Sequence, residues 1–428
     1  MSLAALAPFR IRSYRFQWPA DLLTSCAFEM ETLILGWYVL VETSSVIMLT
    51  IFGAMYYGGT LIAPMLGVAS DRIGHRTLLS GMRVIYAAVA ATLTALAFAG
   101  MISPILACVM AAITGLVRPS DMGLRGALIA ETMPTDRLIG AMGLSRTTGD
   151  TARVGGALTG AGLFAAFGFG PAYVAITIFY ALAALLTWYA APGRDAPSHP
   201  VEIVPSASPW RDLREGFVHV WNTPRLLALV WMAFVYNFTA FALTQGLMPY
   251  VARDIFHTDQ TGLGYLVASL ACGALAGALI LGSSRLADHL PRLMLCSAVV
   301  WHALLIVFAQ MESMVWGMVL LLLIGVAQSF SMVSHTVILL RASGRRFRGR
   351  VTGVRMLAIY SLPLGLLGAG VLVGRIGYDA TVTIYATIGI VCTALTAVLW
   401  YKALADPHFP DEGRVSPPSS EQAWPTDR

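Results

Sequence analysis

Charge is what this chain has least of. Asp, Glu, Lys and Arg make up only 12% of its 428 residues, about half the share of a soluble domain (roughly 25%), which excludes a water-soluble globule. Cysteine is sparse as well. Cys26, Cys108, Cys272, Cys296 and Cys392 stand singly in apolar stretches without CxxC or metal-ligand spacing, so neither a disulfide framework nor a zinc site is expected. There is no GxxxxGK[ST], no HExxH and no polar stretch long enough for a nucleotide-binding domain. ATP hydrolysis and membrane metalloproteolysis therefore lack a site, and no cofactor or metal is expected. The net charge of +5 is small for such a chain; basic loops that orient membrane helices account for it, and no nucleic-acid partner is implied.

What the chain has instead is apolar length. Hydrophobic residues make up 57%, and runs of about 20 residues, enough to cross a hydrocarbon core of roughly 30 Å as a helix, recur throughout. They predict an all-α membrane protein with twelve spans, at 18–41, 46–69, 79–100, 103–126, 139–166, 169–191, 225–250, 262–285, 290–310, 313–340, 350–374 and 378–402. The first span follows Pro8, Arg10, Arg12 and Arg15 and outruns an ordinary signal sequence, so it is expected to remain as a helix.

Arg alternates from loop to loop. It is concentrated at the N-terminus, after span 2 (Arg72, Arg76, Arg83) and after span 10 (Arg341, Arg345, Arg346, Arg348, Arg350), and absent after spans 1, 3, 5 and 9. Both termini are therefore expected on the cytoplasmic side of a bacterial-type inner membrane. Arg253 and Arg375 are exceptions. The longest connection, 192–224, splits the chain into bundles of six spans at 1–191 and 225–404, and a polar, Pro-rich tail fills 405–428. In the linker, Trp210, Leu213, Phe217, Val220 and Trp221 recur at helical spacing, as in an amphipathic helix on the inner leaflet.

Between spans 2 and 3 lies GVASDRIGHR, residues 67–76. With the six-plus-six arrangement it resembles the signature loop of the major facilitator superfamily, matched by Gly67, Asp71, Arg72, Gly74 and Arg76, with His75 where that family usually has Arg. RVGGALTG at 153–160, GLGYLVASLACGALAGALIL at 262–281 and RGRVTGV at 348–354 are similar to the branch of drug:proton antiporters and enterobactin-type exporters. On helix 5, however, that branch's GPxxGG lacks its proline here, and LVRPSDMG only approximates its helix 4 motif around Arg118. The resemblance implies alternating access, with the loop as a conformational latch joined by Asp121 and Arg125.

Ionisable residues inside spans are costly and become functional candidates by default. Arg118, Asp121 and Arg125 share one face of helix 4, and Arg146, Asp150 and Arg153 repeat the pattern on helix 5. Helix 1 brings Glu29 and Glu31, two residues apart and facing nearly opposite ways. One can face a cavity; the other must pair with a neighbouring helix. Glu29 and Asp150 lead as proton carriers, with Arg118 and Glu31 beside them. A fixed salt-bridge network joining helices 1, 4 and 5 is the alternative. Counting Glu29, helices 4 and 5 retain an excess of one positive charge, which favours an anionic solute unless Glu31 or Glu131 joins.

Arg146, Arg153, Tyr236, Asn237, Gln245, Gln328, His335, Arg355 and Tyr360 are candidates for a solute cavity, with Trp231 nearby, whereas His302 reads as structural. The expectation is a monomeric, proton-coupled transporter exporting an amphipathic or anionic small organic molecule. A proton-coupled importer, a lysophospholipid-type flippase and a non-transporting receptor or scaffold are the alternatives.

Overall fold

A computed structural model describes residues 3–61, 70, 73–190, 209–283 and 289–405. Each of the expected spans coincides with helix in the described residues. The helices are α1 (Arg12–Thr43), α2 (Val46–Tyr57), α3 (His75–Phe98), α4 (Pro104–Thr132), α5 (Thr135–Phe167) and α6 (Phe169–Tyr189). After the linker helix Pro209–Asn222 come α7 (Pro224–Tyr236, continued by wider turns to Ile255), α8 (Gln260–Ser283), α9 (Leu290–Ala309) and α10 (Met314–Ala342). The last two are α11, built from Gly344–Ile359 and Ser361–Ile376, and α12 (Tyr378–Ala405). The end of the span expected at 46–69 lies outside the described residues, as do Gly67, Asp71 and Arg72 of the latch, the linker up to Ser208, and the tail from Asp406.

Nine of the described helices are long and apolar enough to cross a membrane by composition alone; the exceptions are α1, α2 and α5. For α2 the described helix is short. For α1 and α5 the cause is chemical, since they carry Asp21, Glu29 and Glu31, and Arg146, Asp150 and Arg153. α4 also carries three such charges, Arg118, Asp121 and Arg125, but keeps an apolar window long enough to span. Side chains such as Val398 (82% exposed) and Trp188 face outward, as a lipid-facing surface requires of a multi-pass protein.

Small residues set the close contacts. On α5, a Cβ at Gly156 would sit 2.8 Å from the Cys26 carbonyl, and one at Gly160 would sit 2.9 Å from the Met30 Cα. Backbone therefore meets backbone where α5 crosses α1, which brings the charged faces of both helices into register. Several pairs of helices join the halves. Gly264 of α8 packs on Ala161 of α5, Gly370 of α11 packs on Thr50 of α2, and Pro249 lies beside Gly36 of α1.

Pro249 also shapes α7. It has no N–H to give the carbonyl four residues back, at Gln245, so the helix loosens there. The observed Asn237–Gly246 stretch is a π-helix, as is Val251–Ile255. Extra-wide turns of this kind re-aim side chains, here Thr244 and Gln245. Periodicity in the sequence carries no signal for them.

The linker contains the helix Pro209–Asn222. The side chains of Trp210 and Leu213 are outside the described set; Val220 is buried, while Phe217 and Trp221 are exposed and stacked. Its Glu215 pairs with Arg350 of α11 at 3.0 Å, which docks the helix on the second half of the molecule.

Candidate functional site

The buried charges resolve into four groups. In the first, Arg83 and Arg125 face Asp21 and Asp121. Arg83 donates to Asp21 and to the Thr187 hydroxyl and lies 3.8 Å from Asp121. Arg125 pairs with its neighbour Asp121, approaches Asp21 at 3.7 Å and donates to Ser25 Oγ at 2.7 Å. The quartet is electrically neutral and ties α1, α3, α4 and α6 together. This corrects the reading of Arg83 as a loop residue that orients the chain: it is eight residues inside α3 and fully buried. The signal is present in the sequence, because position 83 falls within the apolar span 79–100.

The second group surrounds Arg118. Its guanidinium carbon sits 4.7, 4.6 and 5.6 Å from the ring centroids of Phe28, Tyr56 and Tyr57, a cation–π cage. Arg118 therefore does not act as one face with Asp121 and Arg125: a displacement of three residues on a helix is enough to send it to different partners. Glu31, buried beside it, accepts the Tyr180 hydroxyl at 2.8 Å. The expectation that one of the two α1 glutamates must pair with a neighbouring helix corresponds to this contact with α6.

The third group opens on a cavity. Glu29 Oε1 lies 3.6 Å from Arg153 Nε, and both side chains are partly exposed. They line a pocket between the halves with Thr32 and Leu33 of α1, Thr244, Gln245, Met248 and Pro249 of α7, Leu263, Val267, Leu270, Ala271 and Ala274 of α8, and Gln328 of α10. An apolar wall with a few convergent polar groups is the usual form of a site for an organic solute. Gln328 Oε1 is buried there without a hydrogen-bond partner.

The fourth group is Arg146 with Asp150, 3.5 Å apart, with Arg146 largely exposed. Arg355 of α11 has a buried Nε without a partner. Other candidates are committed elsewhere. Tyr236 accepts from Ser331 at 2.8 Å, Asn237 donates to the Ala233 carbonyl at 2.8 Å, and His335 lies 2.8 Å from the Leu229 carbonyl. The hydroxyl of Tyr360 is buried and unpartnered. None of these four lines the cavity between the halves. Trp231 is 39% exposed and stacks on Phe234. His302 is fully buried against Thr239 and the Ala298 carbonyl.

The expected excess of positive charge on helices 4 and 5 is also altered. Arg83, unforeseen, adds one cation, while Asp21 and Glu31 add two anions. Glu131 stays apart, 3.2 Å from His75, so the inner charges balance without it.

Of the latch residues, Gly74 has a positive φ of 86° at the start of α3, a conformation that glycine adopts without strain. Arg76 stacks 5.5 Å from the Trp188 ring of α6. At the opposite end of the bundle, Arg253 reaches from the second half to the Leu40 carbonyl at 2.8 Å and to Ser44 Oγ at 3.0 Å. In the sequence Arg253 stands only as an exception to the loop pattern; its place in a contact between halves has no signature there.

A family model for the Major Facilitator Superfamily matches residues 22–363. The chain belongs to that superfamily. Among solved structures it is similar to the POT family transporter PepTSo, with a TM-score of 0.73 at 12% identity over 93% of this chain and 99% of that one. It is likewise similar to the nucleoside transporter NupG (TM-score 0.69, 14% identity, 91% and 99% covered) and to the human organic anion transporter MFSD10 (0.62, 16%, 90% and 99%). No curated protein matches its sequence. The fold and family make it a secondary transporter by class.

Proposed function

We propose that the chain is a proton-coupled transporter that works by alternating access and exports an amphipathic organic solute; the balanced inner charges remove the reason for an anionic one. The observation that carries this reading is the Glu29–Arg153 pair, 3.6 Å apart in the wall of the cavity between the halves. A carboxylate held by an arginine and partly desolvated releases that arginine when it takes a proton, and recaptures it on losing the proton. Arg153 is then free to engage solute in one state and engaged with Glu29 in the other. Asp150 with Arg146 is a second pair of the same kind, and Arg118 biases the nearby carboxylates through its charge. Glu31, sealed against Tyr180, holds α1 to α6.

The two units, 1–191 and 225–404, rock about this cavity, with the linker 192–224 moving with the second. Arg253 and the Gly370 crossing seal the end that carries Ser44, and the loop containing Asp71 and Arg72 seals the other end in alternation. With both termini cytoplasmic in an inner membrane, the Ser44 end faces outward, and the present state loads solute from the cytoplasm. One solved relative, a bacterial homolog of the human lysosomal transporter Spinster, is described as inward-facing and unoccupied (TM-score 0.65, 14% identity). The protein works as a monomer, each copy holding a complete site. The test is flux of an organic solute in liposomes under an imposed proton gradient, wild type against Glu29→Gln.

A further inference from the structure

Two carboxamides in the cavity wall are left without partners. Gln245 of α7 and Gln328 of α10 both line the pocket between the halves, and neither side chain makes a hydrogen bond among the described residues. Gln328 is only 6% exposed, and its Oε1 is buried without a donor. An amide so placed has lost its water without gaining a partner, and native interiors seldom retain such a group unless something else supplies one. The other polar groups of the wall are committed. Glu29 and Arg153 hold each other at 3.6 Å, Thr32 donates its hydroxyl proton to the Phe28 carbonyl at 2.7 Å, and Thr244 donates to the Ala240 carbonyl at 2.9 Å. Among its described residues, the second half adds no charge to the cavity. It brings two neutral carboxamides and the apolar face of α8 that runs from Leu263 to Ala274.

We infer that Gln328, with Gln245 in the same wall, reads an uncharged amide-type group on the solute: a carboxamide, a lactam or a ureide. A carboxamide carries N–H donors and a carbonyl acceptor side by side, and an amide of the solute meets both at once through two antiparallel hydrogen bonds. An alcohol meets one end at a time; a ketone offers no donor. Rotation about the last side-chain bond exchanges the two ends of Gln328, so its unmet end turns to the cavity without movement of α10. A charged head is a poor match. It would exchange its water for two neutral amides and an ion pair already closed, and that exchange is costly. The apolar body lies against α8, where a polyhydroxylated solute would leave most of its own groups unmet. The assignment rests on the transport reading above and deepens it by naming the solute class of that cavity.

Binding is measured on the purified full chain in detergent, without a gradient. Its outcome is therefore independent of whether proton coupling exists. The probes share one apolar body: naphthalene-2-carboxamide, the matching methyl ketone, in which a methyl group replaces the amide nitrogen, and naphthalene-2-carboxylate. Wild type should bind the carboxamide about tenfold more tightly than either other probe, because a site built for hydrogen bonds is left with unpaired groups by an analogue that lacks them. Gln328→Met, similar in shape but without hydrogen-bonding ends, should erase the preference of carboxamide over ketone. It should also raise the thermal midpoint of the empty protein, since the unmet amide is gone. A lowered midpoint with the preference intact would make Gln328 a brace between helices and overturn the inference. Should Gln328→Met fail to fold, Gln245→Met carries the test, and the preference should fall there too. Equal binding of carboxamide and ketone by wild type, no probe bound by wild type, or a preference unchanged in both variants also overturns it. The coupling reading fails separately: an amide preference together with undiminished gradient-driven flux in Glu29→Gln keeps this site and removes the proton carrier.

Discussion

Arg83 of α3 donates to Asp21 of α1, with the arginine side chain wholly buried and the aspartate nearly so. The pair belongs to a neutral quartet, so its removal by halves and its removal as a whole have different consequences. Breaking a buried pair strands a charge and costs about 3–5 kcal/mol, whereas replacing both partners by groups of similar shape is often neutral. Arg83→Met alone should lower the thermal midpoint and the folded yield; Arg83→Met with Asp21→Asn should recover most of the loss. Thermal denaturation of the four combinations in detergent checks this. A double variant no better than the single one would show that the quartet is not a closed unit.

The aromatic cage around Arg118 makes a separable prediction. A cation–π contact contributes about 0.5–2 kcal/mol, most when desolvated. Tyr56→Phe keeps a face for the cation and should leave stability within about 1 kcal/mol; Tyr56→Leu removes it and should destabilise more, by loss of the contact and of packed volume. Thermal midpoints measured in Arg118→Met, where no cation remains to be stacked, should show this difference shrink.

Glu29 and Glu31 are two residues apart on α1 and differ in company. Glu31 accepts the Tyr180 hydroxyl in a closed pocket, while Glu29 faces Arg153 at the cavity. A glutamine at position 31 still offers an oxygen to Tyr180, so Glu31→Gln should retain gradient-driven flux. Tyr180→Phe leaves a buried acceptor unmet and should cost about 1–3 kcal/mol of stability, read as a lower thermal midpoint. Loss of coupling in Glu31→Gln with normal coupling in Glu29→Gln would reverse the two roles.

Gly370 crosses Thr50 so closely that a Cβ there would clash with the hydroxyl. The contact exists only while the Ser44 end is closed in the proposed cycle. Gly370→Leu should therefore bias the protein towards the opposite state rather than unfold it. A thiol introduced at Ser44 should become more reactive to a membrane-impermeant maleimide in that background, and unchanged labelling would remove the crossing from the cycle.

Much of the architecture can be read from the chain because hydrophobic length is a direct consequence of bilayer thickness. The twelve spans, the break at the linker and the charged residues of helices 1, 4 and 5 follow from spacing alone. Pairing is less accessible. Arg118, Asp121 and Arg125 lie on one face of α4, but which neighbour each meets depends on how α1, α3 and α6 are packed, and that is set by contacts such as Gly156 against Cys26. Arg83 reads as a loop residue when its charge is weighed before its position, although that position lies within an apolar span. The cavity's second wall depends on the loosened turns of α7, which Pro249 permits and no periodic pattern announces.

The central claim is that the Glu29–Arg153 pair couples protons to solute, and flux in liposomes tests it most directly. Wild type, Glu29→Gln and Arg153→Gln are compared with an inward-acid gradient, with no gradient, and with the gradient collapsed by an ionophore, while solute binding is measured separately on detergent-solubilised protein. The account predicts gradient-driven accumulation by wild type only, with Glu29→Gln still binding solute and still exchanging it down its own gradient. Undiminished gradient-driven accumulation by Glu29→Gln would contradict the account.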